Sequence, residues 1–248
     1  MNAVLNLFFG LLVLSCNGFA RTSSITNNET MVIPPDHDAW NTILKEYVDN
    51  DGNVNYAGLQ KNSADLDAYL KHLEQNPPLS SWSKNEKLAF YINLYNAATV
   101  KLILDNYPVQ SIKDIPNRWK EMWIPLGKKT TSLNDIEHKV LREMDEPRIH
   151  FAINCASYSC PKLLNTAFTS QNMERLLTKA AIDFVNDKKR NRFENGQARL
   201  SKIFKWYKSD FTEKTSLLKY INTYLDNPTN NKAKIDYLDY DWGLNEAK

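Results

Sequence analysis

Between Lys87 and Lys101 the chain runs through LAFYINLYNAATV without a single charge, and no other stretch restricts the possible folds as much. Ser83 followed three residues later by Glu86 is a capping box, and the residue before a proline is driven out of the helical region. The spacing therefore predicts a helix from Ser83 to about Asn106, stopped by Tyr107-Pro108. A helix that is apolar all round has no face to offer water, so it must be the enclosed spine of the core. Asn93 and Asn96 lie three apart and share one side of this helix. Each buried amide left unpaired would cost roughly 1–3 kcal/mol, so polar groups from elsewhere in the fold must meet them. Either they brace a loop or they line a functional site.

The rest of the chain reads as elements packed around that spine. Trp40, Ile43, Leu44 and Tyr47 have helical spacing over 37–48, and Asp51-Gly52 turns the chain into a short extended piece at 54–56. A second helix is expected over 64–73, ending before Pro77-Pro78. Two short strands about Gly127 follow within 119–131, and Ser132 with Asp135 opens a further helix to Met144. Residues 148–154 read as a buried strand leading into the cysteine loop, and 171–186 as an amphipathic helix. Asn195-Gly196 marks a hairpin. The remainder reads as helical and rich in aromatics, and 237–242 should pack back onto the core. Few, short, separated strands favour an α+β class over a doubly wound sheet. The expected fold is a helix-rich single domain with a buried central helix, occupying 37–246.

With 248 residues, 42% of them hydrophobic, one sizeable core is sufficient. A net charge of +2 is too small an excess for a nucleic-acid binder. The basic run Lys188, Lys189, Arg190 and Arg192 follows a predicted helix, where cations at the C-terminal dipole end are ordinary. Residues 3–15 are almost wholly apolar, too few to span a bilayer, and Gly18-Phe19-Ala20 supplies small residues for cleavage. The expectation is a signal peptide over 1–20, a flexible leader over 21–36, and a secreted or periplasmic protein with no transmembrane span in its mature chain. Cys16 after Leu14-Ser15 offers lipid anchoring as an alternative.

Chemistry concentrates in one segment, His150-Phe-Ala-Ile-Asn154-Cys155-Ala-Ser157-Tyr-Ser159-Cys160-Pro161. Three readings compete for it. In the first, Cys155 is a nucleophile with a histidine base, the pairing found in papain-like and transglutaminase-like enzymes. A thiol needs an imidazolium or a helix N-terminus to lower its pKa. If residues 150–155 form a strand, His150 and Cys155 point to opposite faces, which leaves His138 as the base. Glu137 would orient it, with Asp210 and Asp241 as alternative acids, and Asn154 or the amides of 156–159 would stabilise an oxyanion. The candidate catalytic residues are thus Cys155, His138, His150 and Glu137. The candidate binding residues are Asn93, Asn96, Arg148, Asn154, Ser159, Cys160 and Asp241, around an unknown peptide or amide substrate. In the second reading a Cys155–Cys160 disulfide staples a non-catalytic domain, worth roughly 2 kcal/mol by loop entropy. In the third, His138, His150, Cys155 and Cys160 hold a metal, but their spacing fits no zinc motif. No cofactor is implied, since there is no phosphate loop, no His-Glu-x-x-His and no Gly-x-Ser-x-Gly.

Phe90-Tyr-Ile-Asn-Leu-Tyr-Asn96, Ile136-Glu-His138, Pro147-Arg-Ile-His-Phe-Ala-Ile-Asn-Cys155, Ser159-Cys-Pro161, Lys202-Ile-Phe-Lys-Trp-Tyr207 and Tyr240-Asp-Trp242 together resemble the successive signatures of the domain of unknown function 547 family. The resemblance runs from about His37 to Asn245 and implies no settled activity. A distant likeness to papain and transglutaminase folds is expected with it.

Overall fold

In the computed structural model the uncharged segment is a 23-residue helix, Lys84–Asn106, sealed at its start by the expected capping box. Ser83 Oγ accepts the Glu86 amide at 3.3 Å, and the Glu86 carboxylate accepts the Ser83 amide at 2.7 Å. The structure describes residue 1 and residues 33–247, and the chain from Pro34 onward forms one compact unit. The leader sequences and Cys16 lie outside the described residues. The fold is helix-rich α+β, with two small sheets of short strands.

Three helices precede the spine and build its first wall. They are α1 (Asp38–Tyr47), α2 (Tyr56–Gln60) and α3 (Ala64–Gln75), and the spine is α4. Trp40, Ile43 and Leu44 of α1 and Leu66, Tyr69 and Leu73 of α3 are buried in the cluster that contains α4. Each fully buried side chain of this size contributes about 1.5–3 kcal/mol, which is what holds an uncharged helix at the centre. The hairpin β1 (Ile124–Leu126) and β2 (Lys129–Thr131) turns at Gly127, whose positive φ of 61° suits glycine. Ser132 caps α5 (Leu133–Asp135), which runs directly into a π-helical turn, Ile136–Leu141. The sequence pattern predicts an ordinary helix here, since a one-residue widening leaves no mark on apolar spacing; such turns occur frequently at functional sites.

The expected strand over 148–154 is instead one helical turn, α6 (Ile149–Ala152), followed by extended backbone at Ile153. The reason is its position between two cores. Ile149 and Ala152 pack in the cluster around α4, while Phe151 packs in a second cluster with Phe184, Phe204 and Phe211. A short turn buried on all sides shows no amphipathic period, so periodicity cannot tell it from a buried strand. Helix α7 (Met173–Asn186) also spans both clusters, giving Leu176 and Leu177 to the first and Ala181 and Phe184 to the second.

The second core is closed by strands β3 (Arg192–Glu194) and β4 (Gln197–Leu200), which form the expected hairpin, and by short helices α8 (Ile203–Trp206), α9 (Lys208–Thr212) and α10 (Leu217–Asn222). Strand β5 (Lys234–Tyr237) then pairs with β4 in parallel, an element absent from the sequence reading of a helical C-terminal part. The final segment packs back as expected, Tyr237 and Tyr240 against the second core and Trp242 and Leu244 against the first. Leu244 bridges Ser157, Gly243 bridges Ser111, and Glu246 bridges Val54. Asn245 is the clamp: its amide donates to Ala156 O at 3.2 Å, its side chain donates to Gly52 O at 3.1 Å, and it accepts Tyr56 Oη–H at 2.8 Å.

Candidate active site

The cysteine loop is shaped by Asn96 and Asn154. Asn96 on α4 accepts the Asn154 amide at 2.8 Å and donates to Ala152 O at 3.0 Å, which fixes the exit of α6. Asn154 accepts the Ala156 amide at 2.8 Å and donates to Pro161 O at 2.7 Å, tying the two ends of the loop together. Asn93 meets Phe168 in the same two-way fashion, through contacts of 2.7 and 3.1 Å. All three amides bond backbone through both oxygen and nitrogen, so Asn154 is held as a brace of the loop. Between Asn154 and Ser157 the buried Ala156 is held at a φ of 57°. A non-glycine residue in that region costs on the order of 1–3 kcal/mol, and its two flanking peptide groups are clamped by Asn154 and Asn245.

Both cysteines are free, so the loop is not stapled in this structure. Cys155 Sγ lies 3.0 Å from Ser157 Oγ and 3.3 Å from Tyr240 Oη, and the two hydroxyls are 2.9 Å apart. The Cys155 amide donates to Cys160 Sγ at 2.9 Å. The Cys155 thiol is lowered to about 7, first by hydrogen bonding with Cys160, then by the Ser157 and Tyr240 hydroxyls and the Ser157 amide, against the opposing effect of burial. Burial first, and then the neighbouring Cys155, push Cys160 upward. Among the described residues no imidazole hydrogen bonds to Cys155 Sγ, and Cys155 follows the end of α6 rather than opening a helix. The expected sources of thiol acidity, an imidazolium or a helix dipole, are replaced by the hydrogen bond with Cys160, two hydroxyls and an amide.

The two imidazoles are nevertheless close at hand. Cys155, Cys160, Glu137, His138 and His150 line one cavity of about 300 Å³. The helical turn of α6 removes the alternation that would have turned His150 away from Cys155. His150 Nε2 is 2.9 Å from Asp210 Oδ2, and its ring stacks on Tyr207 with centroids 3.9 Å apart. Burial lowers its pKa despite Asp210, so the ring is neutral at pH 7. A carboxylate only accepts, so the proton sits on Nε2 and the lone pair on Nδ1. Nδ1 is buried and has no protein partner. Asp210 is forked to Arg142 at 2.7 and 2.6 Å and lies far below the usual carboxylate range, chiefly through that guanidinium.

Arg142 also governs the other histidine. Its Nη1 is 3.1 Å from His138 Nδ1, and a guanidinium only donates, so His138 carries its proton on Nε2. That makes His138 a donor rather than the base the sequence favoured. Glu137, expected to orient His138, is buried and accepts Tyr95 Oη–H at 3.2 Å, with a further hydrogen bond to Tyr207. The acid that orients an imidazole is Asp210, and the imidazole is His150.

The remaining candidates lie off the cavity. Arg148 is forked to Glu146 and Glu174. Ser159 and Asp241 bind each other, the Ser159 amide donating to Asp241 O at 3.1 Å and the Asp241 amide to Ser159 Oγ at 2.9 Å. The amides of Tyr158 and Cys160 are likewise spent, on Gly243 O and Ser157 O. Sequence reasoning missed the wall itself. Trp206, Tyr240 and Trp242 cluster with centroids 4.5–5.8 Å apart, and Trp119 and Tyr207 join them as lining residues. The Lys202–Tyr207 and Tyr240–Trp242 blocks were visible as patterns, but nothing in them announced contact with a thiol. Among the described residues no three His, Cys, Asp or Glu side chains converge in the manner of metal ligands, and no helix is long and apolar enough to cross a membrane.

The fold and site thus define a helix-rich α+β domain in which a free thiol, two imidazoles and a buried carboxylate surround an aromatic cavity. Residues 79–185 match the model of the family described as Protein of unknown function, DUF547, so the resemblance drawn from the motifs holds over that span. It contains α4, the Glu137-His138 pair and the cysteine loop, while the Lys202–Tyr207 and Tyr240–Trp242 blocks lie beyond it. Searches of curated proteins and of solved structures found no match.

Proposed function

We propose that the protein is an exported, cysteine-dependent hydrolase or acyl transferase in which Cys155 is the nucleophile. The observation that carries this reading is the shared cavity: a free thiol with hydroxyl donors faces the same space as an imidazole whose tautomer is set by a carboxylate. Export rests on the leader sequence alone.

At neutral pH a thiol with a pKa of about 7 is close to half ionised, so Cys155 needs no resting imidazole contact to be reactive. The thiolate attacks an acyl carbonyl, and the developing oxyanion takes donors from His138 Nε2–H and the Tyr240 hydroxyl. His150 is the base for the deacylating water. Asp210 fixes Nε2 as the protonated nitrogen and stabilises the imidazolium that forms when Nδ1 accepts a proton. The contact between this base and the reacting groups closes in the substrate complex, where catalytic hydrogen bonds ordinarily tighten. The apolar, aromatic walls favour an acyl group with substantial hydrophobic surface.

The test is incubation of the reduced protein with activated acyl esters, with mass spectrometry of the digested product. A burst of leaving group with a thioester on Cys155, absent in Cys155→Ala, is the expected result. Acylation elsewhere, or none with a folded protein, overturns the reading.

A further inference from the structure

We infer that Cys155 and Cys160 form a peroxide-responsive thiol pair, in which Cys155 is the oxidisable sulfur and Cys160 the resolving one. The inference builds on Cys155 being the reactive thiol of the proposed enzyme and adds a modification that switches it off.

The geometry assigns the two roles. Cys155 is half-buried in the wall of the aromatic cavity, whereas Cys160 is 4% exposed and lies behind it, close enough for its sulfur to accept the Cys155 amide hydrogen at 2.9 Å. The turn that brings them together is fixed. The left-handed Ala156 reverses the chain, the Cys160 amide donates to Ser157 O at 3.0 Å, and Arg190 holds Tyr158 O and Cys160 O at 2.8 Å each. Cys160 also lines a second, polar cavity on the far side of the loop. The Ser157 and Tyr240 hydroxyls beside Cys155 Sγ are placed to donate to a small, polar oxidant at the sulfur. A low-pKa, accessible thiol poised next to a resolving thiol is the arrangement that supports reversible oxidation.

The chemistry balances with a hydroperoxide as the oxidant. The Cys155 thiolate attacks the distal peroxide oxygen, an S–O bond forms and the O–O bond breaks. The departing alkoxide or hydroxide takes a proton and leaves as alcohol or water. Sulfur loses two electrons and the peroxide gains them. The Cys160 sulfur, its proton released, then attacks the Cys155 sulfenic sulfur, an S–S bond forms, and hydroxide leaves and is protonated to water. A dithiol returns both groups to thiols by exchange. The bridge removes the nucleophile and spares Cys155 from irreversible oxidation.

The experiment treats the full chain with hydrogen peroxide, then counts free thiols, maps peptides without reduction and measures acylation before and after dithiothreitol. The expected result is loss of the Cys155 and Cys160 thiols, a peptide linked through them, loss of acylation, and reversal of all three on reduction. Cys160→Ser should instead accumulate a dimedone-reactive sulfenic acid and then irreversible sulfinic acid at Cys155. Should that variant fold poorly, the wild-type peptide map decides alone. Sulfinic acid at Cys155 with Cys160 still a free thiol in the wild type overturns the inference. If the reduced protein acylates at Cys155 and no bridge forms, only this inference falls. If the bridge forms in a protein that cannot be acylated, the hydrolase reading falls and the redox pair stands.

Discussion

The two faces of the cysteine loop use polar groups in opposite ways. On one face, a cavity of about 300 Å³ is walled by aromatic rings and holds Cys155, both imidazoles and Glu137. On the other, a cavity of about 420 Å³ is edged by Asp51, Asn53, Lys162, Asp187, Arg190 and Asn245. The polar face carries more hydrogen-bonding groups, yet two of them, Arg190 and Asn245, are committed to backbone. Arg190 serves the carbonyls of Tyr158 and Cys160 while paired with Asp187, and Asn245 serves Gly52 and Ala156. Gly52 sits so close to Lys162 and Leu163 that a Cβ there would come within 2.7 Å of Lys162 Cβ. The aromatic face has few polar groups, and some of them are uncommitted, above all His150 Nδ1. Reactive atoms on one side require a rigid, fully bonded scaffold on the other, because an unpaired polar group survives burial only where its surroundings are over-determined.

Three perturbations break or sharpen that contrast. The largest effect is expected for His150→Ala, which removes the base from the aromatic face and should slow deacylation by roughly 10²–10⁴-fold in single-turnover kinetics. Because Cys160, two hydroxyls and an amide, not an imidazole, acidify Cys155, its alkylation by iodoacetamide should keep the wild-type pH profile in that variant. A profile displaced with His150→Ala would mean that the imidazole does set the thiol.

The pH profile itself is the next measurement. A thiol lowered to about 7 is protonated below that value, so alkylation should fall about tenfold per pH unit in acid and level off above neutrality. A hydrogen bond to a charged group is worth about 1.5–3 kcal/mol, so Tyr240→Phe should move the midpoint upward by about one to two units. An unmoved midpoint would remove Tyr240 from the site.

The smallest effect on chemistry belongs to the polar face. Arg190→Gln leaves two loop carbonyls short of donors and should cost about 1–3 kcal/mol in urea denaturation. The Cys155 alkylation midpoint should stay in place. A shift of the midpoint without a loss of stability would show that Arg190 acts on the thiol and that the two faces are not divided as described.

Much of the scaffold can be read along the chain. The uncharged run at 88–100, the Ser83–Glu86 box, the Gly127 and Asn195-Gly196 turns and the amphipathic α7 each arise from local rules that neighbours reinforce. The cysteine segment was likewise visible as the chemically dense region. Asp210 was legible only as an alternative acid for a histidine, and its pairing with His150 and Arg142 and the contact of Tyr240 with Cys155 were not, because these residues reach the site through the turn after the π-helical segment, the short helices of the second core and the returning C-terminal segment.

The sequence by itself determined the buried spine, the helix-rich class and which sulfur to examine, because uncharged runs, caps and turn residues act over a few positions and carry their meaning wherever they occur. Only the tertiary structure decided which histidine has a free lone pair and what acidifies Cys155. Those properties depend on Asp210, which lies 60 positions from His150 and 68 from Arg142, and on Tyr240, which lies 85 positions from Cys155. A segment as short as 148–154 leaves a strand and a fully buried helical turn equally possible, and packing between two cores selected the turn that set His150 and Cys155 around one cavity.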